Sequence, residues 1–389
     1  MTSTTKTGSD QAASSAQDSA QVLATIARLR SEHGQATTPA REAILLHEIG
    51  VLEEALGDEA AAARDQLAAV NAEPEFTEPL ERLIAIIERR QSYKNLGKLL
   101  DRLVKVATNP NERVRALVEH AFFVLDQDGD AAAARGLLEQ AVDEVPSDVT
   151  AWLALEVLAL REGDLALEER ALAQRAALSQ LPEWRALLLL DLATLRAGAG
   201  DDAGAEAAVD EAVSLDSPAT FLALRRGERL ARTLEDLPLE ARFLEAQAAL
   251  LLAAVKDADR GTATGVPLDR RTKAHAADAW LRAAEAHRRS GEGAKGIDLL
   301  DRALGELPGD PSLTHARLIA AEGASDAATM ARLARGELEQ GASGELAAAL
   351  WLRVAEAAAA EADGAGALDA VRRALKEDTK SIPARALEL

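Results

Sequence analysis

Apolar residues three and four apart recur through most of this chain, and in three places the surrounding pattern is the same. The stretches "GDEAAAARDQLAAVNAEP" from Gly57, "GDAAAARGLLEQAVDEVP" from Gly129 and "GEGAKGIDLLDRALGELP" from Gly291 share one skeleton. Each opens on glycine and an acid, continues through small and paired aliphatic positions, and closes on proline at the same distance; in the first, polar Gln66 replaces one leucine. Each copy predicts one amphipathic helix, with a carboxylate capping the free N–H groups at its start and proline ending it. Upstream runs such as "AREAILLHEIGVLEEAL" and "TKAHAADAWLRAAEAHRRS" predict a partner helix, so the repeating unit is a helix pair. Two helices of that size cannot bury their apolar faces alone and must stack on neighbours.

Read along its length, the chain predicts a disordered tail over 1–19 and a lone helix near Ala20 to Glu32, with six helix pairs completing an array over 20–256. The segment "KDADRGTATGVPLDRR" breaks the array and predicts a loop or hinge over 257–272. Three further pairs fill 273–380, and 381–389 begins another helix. Two pairs depart from the pattern: the one from Thr77 has Tyr93 at its turn with no glycine before it, and the one from Pro311 to Gln340 is shortened around "EGASDA". The ending "SIPARALEL" raises the expectation that this chain is the N-terminal part of a longer array or multidomain protein.

Trp152, Trp184, Trp280 and Trp351 lie about one, three and two repeat lengths apart, each early in a first helix. With the glycine turns, the small residues and the closing prolines, this pattern resembles the tetratricopeptide repeat family over most of residues 43 to 380. The clearest copy runs from Ala277 to Asp310, with Trp280 as the family tryptophan, Gly291 as the turn, Gly296 in the small position, Ala303 as the packing alanine and Pro308 as terminator. The copy from Ala43 offers Ile49 and Gly50 as the family's Leu-Gly pair, with Ala62 and Ala69 as packing residues and Pro74 as its end. The resemblance implies an all-α fold, an α-solenoid of antiparallel helix pairs wound into a right-handed superhelix.

Composition agrees with helices: alanine, leucine, glutamate and arginine dominate, and aromatics reach only 3 %. A net charge of −21 repels phosphate backbones and anionic lipids, so neither nucleic acid nor membrane is expected as the main partner. Without cysteine there is no disulfide, thiolate nucleophile or cysteine zinc site. The opening residues lack the apolar core of a secretory signal, and no apolar run approaches the ~20 residues that span a bilayer, so a cytoplasmic protein is expected. The alanine and arginine bias fits a GC-rich bacterial genome.

Several motifs imitate chemistry. Gly291, Gly293 and Gly296 spell GxGxxG, but a dinucleotide site needs a preceding β-strand, and here a helix precedes. "DQDGD" alternates Asp126, Asp128 and Asp130 as a calcium loop does, yet the sixth and twelfth places hold Ala131 and Leu137 where glycine and glutamate are required. His33, His47, His120, His275, His287 and His315 form no HExxH motif, and Ser343 in "GASGE" lacks the second glycine of a nucleophile elbow. No catalytic constellation, metal site or cofactor site is therefore expected, and the chain reads as a non-enzyme.

Two surfaces are candidates for partner binding. The stretch Arg82 to Arg115 carries nine Lys or Arg against three acids, with Lys94, Lys98, Arg102 and Lys105 at helical spacing; it is either a solvated face paired with neighbouring acids or a docking face for an anionic segment. Leu153, Val157 and Leu160 follow a helical stripe that Leu189 and Leu192 would continue, and this is either an apolar groove or a seal between repeats. The family's carboxylate clamp uses Lys and Asn on successive first helices; this chain puts His47 and Val51, then Glu81 and Ala85, where the clamp would begin. The expected function is a protein-interaction scaffold that binds partner proteins or peptides on its concave face. The alternative is a regulatory or substrate-recruiting arm of a larger enzyme. The oligomeric state is not legible.

Overall fold

The helix-pair pattern is the architecture. The computed structural model describes residues 6–323 and 326–388, with side chains over 19–323 and 326–387, and among the described residues every regular element is helical. The chain divides after Leu178 into two compact units. The first holds α1 (Lys6–His33) and four pairs: α2 (Pro39–Ala55) with α3 (Glu59–Ala72), α4 (Thr77–Arg89) with α5 (Leu96–Val106), α6 (Pro110–Phe123) with α7 (Ala131–Glu144), and α8 (Val149–Glu162) with α9 (Leu165–Leu178). In the second, α10 (Pro182–Ala199) pairs with α11 (Asp202–Ser214) and α12 (Thr220–Thr233) with α13 (Leu237–Lys256). After the short α14 (Ala258–Ala263) come α15 (Lys273–Arg289) with α16 (Gly293–Glu306), α17 (Pro311–Gly323) with α18 (Ala327–Glu339), α19 (Gly344–Ala360) with α20 (Gly364–Glu377), and finally α21 (Ile382–Glu388).

A left-handed turn joins the helices of eight pairs, and in most of them an acid follows it. The turn residue is left-handed at Gly57, Gly129, Gly163, Gly200 and Gly291, and the same conformation is forced on Gln91, Glu235 and Ala362 where glycine is missing. The acid after it caps the next helix: Asp58, Asp130, Asp164, Asp201, Asp236 and Asp363 each accept a backbone N–H three residues on. Asp130, part of the calcium-like "DQDGD", is such a cap. Glu292 makes no cap; one methylene longer, it bonds Lys295 at 2.6 Å and His287 at 3.2 Å instead. Gly296, predicted as a close-packing position, and Gly50, from the predicted Leu-Gly pair, both face a close approach. A Cβ on Gly296 would lie 2.8 Å from the Ala284 carbonyl, and one on Gly50 would lie 2.6 Å from Gln66, whose amide is fully buried on His47.

Three segments differ from their sequence reading. Helix α1 starts at Lys6, well before Ala20, because Ala12, Ala13 and Ala16 among the serines sustain helix; residues 1–5 of the expected tail lie outside the described residues. In the stretch 257–272, read as a loop or hinge, stand α14 and a 3-10 turn over Leu268–Arg270, and Thr264 and Val266 are buried. Its Thr264 carbonyl accepts the Phe221 N–H at 3.1 Å. The shortened turn around "EGASDA" includes 324 and 325, which also lie outside the described residues.

Candidate functional site

The left-handed turn fixes a register for eight of the first helices. Eleven residues ahead of it stand Leu46, Leu80, Val118, Trp152, Leu189, Leu224 and Trp280, all buried, with half-buried Trp351 in the same place. Eight residues ahead stand Ile49, Leu83, Ala121, Leu155, Leu192, Gly227, Ala283 and Val354, also buried. These two positions bind first helix to second. Trp184 is sixteen residues ahead of Gly200, and a five-residue offset turns a side chain about 140° around a helix, so it is 59 % exposed. Its spacing from Trp152 matches a repeat length, but its register does not.

The same register corrects the predicted apolar stripe. Leu153 and Leu160 are exposed and Val157 is half-buried, so α8 does present an apolar face in the first unit. Leu189 and Leu192 are 4 % and 3 % exposed; they occupy the two packing positions, equivalent to Trp152 and Leu155, and present nothing to a partner. The residues of α10 equivalent to Leu153, Val157 and Leu160 are Leu190, Thr194 and Ala197.

The positions ten, six and three residues ahead of the turn thus form a face whose chemistry varies between first helices, although on α10 its Leu190 is buried. On α4 it reads Glu81, Ala85 and Glu88; on α8 Leu153, Val157 and Leu160; on α12 Arg225, Arg229 and Arg232; on α15 Leu281, Glu285 and Arg288. Clefts open along it. An acidic one of about 200 Å³ includes Glu81, Glu88 and Glu119, and there burial, then the nearby carboxylates against the pull of Arg115, push the Glu119 carboxyl up. The largest of these clefts, about 660 Å³, lies between α15, α16 and α17, with Leu281, Ile297, Leu300, Ile319 and Ala320 on its walls and Glu285 paired with Arg288 at its edge. Gly293 and Gly296 of the GxGxxG stretch line this cleft, which has apolar walls and no phosphate-binding loop.

Two of the four residues of the predicted basic face are engaged from within. The Arg102 guanidinium donates to the Val70 carbonyl at 2.8 Å, satisfying the end of α3, and Lys105 pairs with Asp101 at 2.6 Å. Lys94 and Lys98 are exposed and have no ion pair among the described residues. Elsewhere in Arg82 to Arg115 the arginines tie one repeat to the next: Arg82 and Arg89 to Glu54, Arg115 to Glu81 and Arg113 to Glu144. The partners stand 28 to 35 residues apart, close to one repeat.

A more strongly basic surface went unpredicted. Helix α12 carries Arg225, Arg226, Arg229 and Arg232 around one buried acid, Glu228. That carboxylate is bonded by Gln247 at 2.9 Å and paired with Arg232 at 2.7 Å, Arg225 at 3.0 Å and Arg282. Burial alone would raise its pKa, but the Gln247 amide and the three guanidiniums together hold it below the ordinary carboxylate range. The signal was present in "RRGERLAR", and only the turn register shows that its arginines share a face.

No family description and no curated protein matches the chain. Among solved structures it is similar to Naa15/Naa10 bound to HypK-THB, at 14 % identity over 95 % of this chain and 60 % of that one, with a TM-score of 0.37. It is similar also to the C-terminal part of a TPR repeat-containing protein from Cytophaga hutchinsonii, at 10 % identity over 88 % and 98 % of the two chains, TM-score 0.33. A third is YrrB, described as a TPR protein with an unusual peptide-binding site, at 15 % identity over 47 % and 90 %, TM-score 0.33. The chain resembles tetratricopeptide repeat proteins. Its own register of left-handed turn, capping acid and two buried positions carries that resemblance. In this tetratricopeptide-like array the packing positions are spent on structure, and chemistry that differs between repeats is confined to the variable face.

Among the described residues no group of His, Asp and Glu could hold a metal ion, and no helix is long and apolar enough to cross a membrane. The histidines have ordinary partners: His47 bonds Gln66, His275 bonds Thr272, and His287 lies between Glu245 and Glu292. His120 is desolvated, which lowers its pKa and favours the neutral ring.

Proposed function

We propose that this chain is a protein-interaction scaffold, and that the cleft between α15, α16 and α17 receives the apolar face of a partner segment. The observation that carries this reading is the cleft itself. It offers about 660 Å³ with predominantly apolar walls, and Ile319 on its rim is 52 % exposed. An open apolar surface edged by a charged pair suits a partner helix laid along it. The stripe of Val149, Leu153 and Leu160 on α8 supports the same function within the first unit. The test is to capture partners with the purified chain, identify them, and repeat the capture with Ile297→Glu/Ile319→Glu. Loss of a partner by a variant that keeps its helix content and melting temperature supports the cleft; full retention of every partner refutes it.

A further inference from the structure

The second unit carries a surface of opposite chemistry. Arg225, Arg229 and Arg232 occupy the variable face of α12, with Arg226 beside them and exposed Leu222 one turn earlier. Arg226 and Arg229 are exposed and have no ion pair among the described residues. The face continues into a cavity of about 260 Å³ whose walls include Phe221, Arg225, Arg270, His275 and Arg282, with Asp269 and Asp278 at the same site. This cavity belongs to the break in the array. Away from the break, the ion pairs Arg353 to Glu322 and Arg242 to Glu206 join equivalent helices of neighbouring repeats across 31 and 36 residues, but Arg282 reaches Glu228 across 54. The extra residues are α14 and the turn after it, and Pro267 and Arg270 of that insertion wall the cavity.

Six arginines here face four acids, Glu228, Glu240, Asp269 and Asp278, leaving an excess of two positive charges in a chain whose net charge is −21. Glu228 does not cancel the face. It sits underneath and holds Arg225, Arg232 and Arg282 in place, and each guanidinium has five N–H donors, so donors remain for a ligand. We propose that this surface docks an acidic segment of a partner protein, with one carboxylate entering the cavity and others lying along α12. Charge complementarity selects the occupant, and exposed Leu222 adds a place for an apolar side chain between the acids. A nucleic acid fits poorly, because the chain's overall charge repels a long polyanion while a short peptide meets only the local field. Salt would screen both the local attraction and the global repulsion, so charge reversal is the cleaner readout.

The test uses the full chain and a fluorescein-labelled dodecapeptide of Leu-Glu-Glu repeats, with a Leu-Gln-Gln peptide and a twelve-residue oligothymidine as comparisons, read by anisotropy. The acidic peptide is expected to bind at least about tenfold more tightly than either comparison. Arg226→Glu/Arg229→Glu should weaken it by about tenfold or more, and Arg226→Gln/Arg229→Gln by less, with melting unchanged because neither side chain has an internal partner. Ile319→Glu should leave it unchanged, which separates this surface from the apolar cleft. Equal affinity for the acidic and neutral peptides, tighter binding of the oligonucleotide, or indifference to both arginine variants would overturn the proposal.

Discussion

Ala362 tests the turn register directly. It joins α19 to α20 in the place that glycine fills in other pairs, and its φ of +61° is left-handed. An L-residue there costs roughly 1–2 kcal/mol, because its Cβ crowds the following carbonyl. Replacing it with glycine removes that cost and adds about 0.4–1 kcal/mol of unfolded-state entropy to be lost on folding. Ala362 is exposed, so the missing methyl costs little packing. The net expectation is a gain of about 0.5–1 kcal/mol, or about 1–4 °C in the melting of a unit this size. Because repeat arrays can unfold in parts, amide exchange of α19 and α20 should be followed with the melt, and their protection should rise. Gly163→Ala is the reciprocal test: φ is +69° and nothing lies within 4 Å of the added Cβ, so only the backbone conformation opposes it. It should cost about 1 kcal/mol. A control, Ala360→Gly in the right-handed last turn of α19, should destabilise by up to ~1 kcal/mol. If Ala362→Gly destabilises like that control, the assignment of a left-handed turn there is wrong.

Three further perturbations probe packing and charge. Leu189→Glu should destabilise by roughly 3 kcal/mol or more in urea titration, since it forces a charge into a packing position, whereas Leu153→Glu on the exposed stripe should stay within about 0.5 kcal/mol. Gly296→Ala should cost about 1–3 kcal/mol, because the Ala284 carbonyl must give way, and native-state exchange should localise the loss to α15 and α16. Glu228→Gln should cost on the order of 3 kcal/mol at neutral pH, the low end for a broken buried pair because its arginine partners are partly solvated. The folded pKa of Glu228 is depressed, so its contribution is complete above the unfolded glutamate value of about 4.3 and disappears as pH falls through the lower folded value. The wild-type and variant curves should therefore converge in acid; a pH-independent gap would contradict the ionised network.

Helix pairing was legible because it is encoded locally. Gly291, Asp58 and Pro74 act within a few residues of where they stand, and Gly296 announces a close approach by its size alone. What the sequence concealed is angular. Trp184 sits one repeat length from Trp152, and Leu189 continues a leucine-rich run, yet 100° per residue places Trp184 outside and Leu189 inside once the turn at Gly200 sets the register. The left-handed residues Gln91, Glu235 and Ala362 hide that register where glycine is absent.

The same angular logic explains why charge counting found the less informative basic stretch. Arg82, Arg89, Arg113 and Arg115 raise the local count, but each meets an acid about one repeat away, a distance that a window along the sequence does not scan. In "RRGERLAR" a charge count sets the glutamate against the arginines, whereas the fold buries Glu228 beneath them and leaves Arg226 and Arg229 outside. An array that fixes these two positions on each described first helix for packing leaves several of the exposed ones free to vary. Acidic on α4, apolar on α8 and cationic on α12, those positions differ in surface chemistry from repeat to repeat, and substitution of the unpaired ones, such as Leu153 or Arg229, should leave the melt alone.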